Sequence, residues 1–83
     1  MSDRRSIDDL KKLGANRPAP EDIVRLYRKA FSEFGSKALW SSRELPQPSF
    51  AAALAITESL RVEGNLAARN IAERIESLCR AAL

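Results

Sequence analysis

Apolar residues recur along this chain at three- and four-residue intervals, and those intervals mark out helices. Ile23, Leu26, Tyr27, Ala30, Phe31 and Phe34 form one such stripe, because positions i, i+3, i+4 and i+7 share a face of a helix. Arg25, Arg28, Lys29 and Ser32 fall opposite it. Pro20 suits the first helical position, and Glu21 and Asp22 sit where the helix dipole favours acids. The spacing therefore predicts a helix from Pro20 to about Phe34, with Gly35 after its end.

Two longer patterns follow. Ser49 is placed to cap a helix running to about Glu63, whose polar residues are few: Thr57, Glu58, Ser59, Arg61 and Glu63. A helix apolar on most of its circumference is normally packed on more than one side. Asn65 then caps a second helix to about Ala82. Its apolar face is Ala67, Ala68, Ile71, Ala72, Ile75, Leu78, Cys79 and Ala82; Arg69, Glu73, Glu76 and Arg80 lie across from it, with Glu76 and Arg80 spaced as an i,i+4 ion pair. The turn between these helices is very short, so they are expected to be antiparallel neighbours.

Upstream, Ser6 can cap a short helix in which Ile7, Leu10 and Leu13 recur every third residue. A helix this short is marginal alone. Residues 1–19 accordingly read as a flexible N-terminal arm with a short helix, ahead of a helical domain over 20–83. The arm either folds onto a partner through those three side chains or caps its own bundle. The pairs Pro18/Pro20 and Pro46/Pro48 break the chain between helices, and Gly14, Gly35 and Gly64 each stand where a left-handed helix cap would use glycine. Residues 36–40 read as a turn or two of helix in which Leu39 and Trp40 close the core. No alternating run of β-branched residues occurs. The predicted fold class is all-α: a small helical bundle with a C-terminal antiparallel helix hairpin.

Composition narrows the chemistry. Of 83 residues none is His and one, Cys79, is Cys. That removes a disulfide framework, a Cys/His zinc site and any imidazole base or ligand. The carboxylates Glu73 and Glu76 could share a groove, but charged residues on a helix are ordinarily a solvated face. No nucleotide-binding, zinc-protease or serine-hydrolase motif is present. The expectation is a protein that is not an enzyme and uses no cofactor or metal. The beginning of the chain is not followed by an apolar run, and the longest such run, Phe50 to Ile56, is too short for a bilayer. The expected location is cytoplasmic, without membrane attachment, and the lone Cys suits a reducing compartment.

Charge is uneven. Residues 1–43 hold ten basic and six acidic side chains, and residues 44–83 hold four and five. An anionic partner would meet the first half, where Arg25, Arg28 and Lys29 form a basic face with Arg4, Arg5, Lys11, Lys12 and Arg17 before it. Trp40 is either core bulk or an interface anchor. The residues singled out for contact are thus Ile7, Leu10 and Leu13 in the arm, Arg25, Arg28 and Lys29 on the basic face, and Trp40.

Residues 31–82 resemble small bacterial helical proteins encoded beside nucleotidyltransferase-like toxins. The resemblance is carried by Ala38-Leu39-Trp40, the helix ending Leu60-Arg61-Val62-Glu63-Gly64, Ala68-Arg69 and Ile75-Glu76. It implies an antitoxin-like protein that binds a larger partner, and it brings no functional residues with it. The function expected is a non-enzymatic helical protein-binding module, a stoichiometric inhibitor or antitoxin of a larger bacterial protein. The alternative is a small DNA-binding regulator using the basic N-terminal half. Homo-oligomers remain open on both readings.

Overall fold

Four of the predicted helices have local causes that the structure displays, and the short helical stretch expected over 36–40 lies mostly outside the described residues. The computed structural model describes residues 5–36, 39, 43–63 and 65–83. Its elements are α1 (Ile7–Gly14), α2 (Glu21–Phe34), α3 (Phe50–Glu63) and α4 (Leu66–Ala82), and among the described residues there is no strand. The chain is an all-α helical bundle, and α3 and α4 pack as its helix hairpin.

Caps set the helix starts. Ser6 Oγ accepts from the Asp9 N–H while Asp9 Oδ2 accepts from the Ser6 N–H, both at 3.1 Å, a reciprocal capping box. Ser49 Oγ accepts from Ala52 N–H at 3.1 Å, and Asn65 Oδ1 from Ala67 N–H at 2.8 Å. Pro20 stands one position earlier than the sequence suggests, at the N-cap of α2.

α3 is the central element. It packs against α1, α2 and α4, which accounts for its nearly uninterrupted apolar circumference. The core joins Ile23, Tyr27 and Ala30 of α2 with Leu54 and Leu60 of α3 and Ile71, Ile75 and Cys79 of α4. Ala53, Ala68 and Ala72 are wholly buried in it, so these helices meet over small side chains. Leu39 completes the core as expected. Trp40 lies outside the described residues, as does Gly64.

Two connectors close the bundle. The Ala19 N–H donates to Pro48 O and the Phe50 N–H to Arg17 O, each at 3.0 Å, forming an isolated antiparallel bridge between Pro18 and Ser49. Proline lacks an N–H, so the donors here come from flanking residues. Arg17 lies over the Phe50 ring, 5.7 Å from its centroid. The second anchor is Tyr27, which is buried in the core and bonds through its hydroxyl to the 43–45 segment. Its hydroxyl accepts from the Leu45 N–H at 2.9 Å and donates to Arg43 O at 3.3 Å. Replacing Tyr27 by Phe strands that N–H and carbonyl and should cost about 1–3 kcal/mol. A urea titration checks it; a midpoint equal to wild type would mean that water replaces the hydroxyl without loss.

Three expectations need correction. Residues 1–19 are not simply an arm. Within them α1 is a packed element whose Leu10 is fully buried in the core, with Ile7 partly buried against it. The physical reason is that α3, apolar nearly all round, offers an uncovered flank that α1 fills. Gly14 and Gly35 do not act as left-handed caps. Gly14 is the last residue of α1, followed by Ala15 in the right-handed region, and Gly35 is itself right-handed at φ −57°. Gly14 is needed for proximity instead: a Cβ there would stand 2.4 Å from Phe50 Cβ. Finally, Glu76 is drawn across the hairpin to Arg61, with contacts of 3.0 and 2.7 Å, rather than along its own helix to Arg80.

Candidate functional site

The residues singled out from sequence do not converge on one surface. α1 packs on α3 and on α4, while α2 packs on α4 and α3, and the backbones of α1 and α2 do not come close to each other. Within α1 the three leucine-type anchors are divided. Ile7, Leu10 and Gly14 follow a buried line, and Leu13 turns away, half-exposed. At about 100° per residue Ile7, Gly14 and Leu10 fall within about 60° of one another around the helix, and Leu13 lies about 60° further on, at the edge of that face. Leu10 is therefore spent on the chain's own core and does not reach a partner while α1 is docked.

The basic face of α2 is largely neutralised. Arg25 meets Glu21 at 2.6 Å within the helix. Arg28 meets Glu44 at 2.9 Å and also donates to Pro46 O, which holds the connector beside α2. Lys29 stays exposed and stands at a cleft of about 280 Å³ between α2 and α4, together with Leu26, Glu33, Asn70, Ile71 and Arg74. Its charged lining is two cations, Lys29 and Arg74, and one carboxylate, Glu33, a far smaller positive excess than a phosphate backbone ordinarily meets. A second open depression on α4 lies among Glu73, Arg74, Ser77 and Leu78.

Glu73 and Glu76, the paired carboxylates of the sequence, separate in role. Glu73 is exposed. Glu76 receives Arg61, and that hydrogen bond raises the Arg61 pKa, holding the guanidinium more firmly charged. Cys79 is buried. Burial first, then the charges of Glu76 and Asp22, push its thiol up to about 11. A thiol that stays protonated is a poor nucleophile. We expect Cys79 to react with a disulfide reagent at pH 8 only as fast as the chain opens; prompt reaction in the folded state would show an accessible thiolate. The sign for stability follows. The folded pKa is raised, so the unfolded thiol ionises first, and stability present below pH 9 is lost as pH climbs toward about 11.

Sequence reasoning passed over two side chains at the hairpin turn. Val62, near the end of α3, is 87% exposed, and Leu66, the first residue of α4, is 72% exposed. They are the most exposed large apolar residues described. Leu66 stands on the side of α4 away from Ile75, since nine residues turn a helix by about half a circle beyond two full rotations. The available signal was that Leu66 lies off the buried stripe beginning at Ala68. No known protein family, characterised protein or solved structure matches the chain.

Proposed function

We propose that the chain is a non-enzymatic protein-binding module, a stoichiometric inhibitor or antitoxin-like partner of a larger bacterial protein. The observation that supports this is the exposed pair Val62, near the end of α3, and Leu66, at the start of α4. Large apolar groups left in water are stabilised when a partner buries them, so they suit the centre of an interface. Arg61, fixed by Glu76, and Arg69 lie close in sequence and supply polar surroundings. The occupant is an apolar pocket of a protein partner with a polar rim.

The test is tandem affinity purification from the native cell with wild type and with a Val62→Asp, Leu66→Asp double variant. A protein recovered in stoichiometric amount with wild type and lost with the folded double variant supports the reading. Recovery of nucleic acid alone, or equal recovery of protein by both, removes it. Both substituted positions are solvent-exposed, so helix content and thermal midpoint should stay within the small range usual for surface changes.

A further inference from the structure

α4 turns its inner side to the other three helices. On its outer side Leu66, Asn70, Glu73 and Ser77 are exposed, and they fall within about 60° of one another around the helix. Their spacing, four, three and four residues, reads the same in either direction. The two ends of this line differ in shape. Leu66, 72% exposed, projects at one end. At the other, Ser77 borders a shallow depression of about 360 Å³ that it shares with Glu73, Arg74 and Leu78. Leu66 and Ser77 stand about 16 Å apart along the axis.

The charges on this side match the same symmetry. Arg69 lies on the Glu73 edge of the line, and both are exposed. Among the described residues neither belongs to an ion pair. Arginine ahead of glutamate is the weaker order for a pair within one helix. Glu73 acts at longer range on Arg61, whose guanidinium is bonded to Glu76.

We propose that the outer face of α4 binds a second copy of this chain, the two α4 helices lying antiparallel about a two-fold axis. Such an axis brings identical patches together, so the patch must complement itself. Antiparallel pairing on this line sets each Leu66 opposite the other copy's Ser77, in its depression, and each Arg69 beside the other copy's Glu73. Parallel pairing would set Arg69 beside Arg69 and leave both depressions empty. α4 has 17 residues and is about 25 Å long, so a contact along it belongs to the small, reversible class of interfaces. The pairing does not depend on the larger partner proposed above. Because both use Leu66, the second copy and that partner exclude one another.

Sedimentation equilibrium of the full chain, from about 10 µM to about 1 mM, reads the pairing. Wild type should pass from monomer to dimer, and NMR shifts on dilution should centre on Leu66, Arg69, Glu73 and Ser77. Arg69→Glu and Glu73→Arg each set like charges opposite one another twice, so each alone should weaken pairing at least about tenfold. Mixed in equal amounts, the two variants should pair with each other about as tightly as wild type pairs with itself, because every contact again joins arginine to glutamate. Each reversal moves the net charge of +3 by two, so both variants stay positive and general attraction cannot draw them together. A wild type that stays monomeric throughout overturns the proposal. So do dilution shifts centred elsewhere, a dimer indifferent to both reversals, or a mixture that does not pair. A larger protein recovered with a chain that never dimerises would keep the functional reading and remove this one.

Discussion

Leu10→Ala should lower the thermal midpoint well beyond the shift caused by Leu13→Ala. Leu10 is fully buried and Leu13 half-exposed, so the two substitutions delete similar atoms from different surroundings. Removing a buried leucine side chain costs about 2–5 kcal/mol, a transfer contribution plus the cavity left behind. Leu13 loses little of either. For a domain of this size each kcal/mol moves the midpoint by roughly 4–8 °C. The loss cannot exceed the free energy with which α1 holds to α3, because once α1 detaches no further penalty accrues. The expected result is therefore a midpoint several degrees lower and a small fall in helical circular dichroism, with α2, α3 and α4 retained. Equal midpoints for the Leu10 and Leu13 variants would return residues 1–19 to the status of a free arm.

Gly14→Ala pits two known effects against each other. Gly14 is helical, and alanine in a helix is favoured over glycine by about 1 kcal/mol. The added Cβ, however, would stand 2.4 Å from Phe50 Cβ. Neither atom is the free end of a flexible chain, so α1 must shift bodily away from α3. Overpacking of this kind costs about 1–3 kcal/mol, so the net change is destabilising. Gly14→Val, with more bulk and poorer helix propensity, should cost more. Urea melts of both variants decide it: stabilisation by Ala would mean that α1 slides along α3 without penalty.

What the sequence makes legible is local. The capping side chains Ser6, Ser49 and Asn65 act within three residues of themselves, and the apolar stripes of α2 and α4 follow from helix geometry alone. Those signals place the elements and the hairpin. Burial of Leu10 depends on a flank of α3 some forty residues away, and no local pattern announces that such a flank will be left open. Gly14 fails for the same reason: a glycine after an apolar stripe reads as a cap, and only the distant Phe50 shows that it permits a close approach. The Glu76 carboxylate had an in-helix cation at the favoured spacing, and its bond to Arg61 depends on the hairpin that brings α3 beside α4. The basic face was read correctly as exposed, but its pairing with Glu44 and Pro46 depends on the path of the connector. Leu66 was hidden by its place beside a good apolar stripe, although it points away from that stripe.

The bridge between Pro18 and Ser49 gives α1 a short leash. Residues 17–19 are fastened to residues 48–50, so a lifted α1 swings from a pivot beside Phe50, the start of the flank it left. Its local concentration at that flank stays high, and return is an intramolecular event. Docking of α1 therefore carries a smaller loop-closure cost than an untethered eight-residue helix would meet.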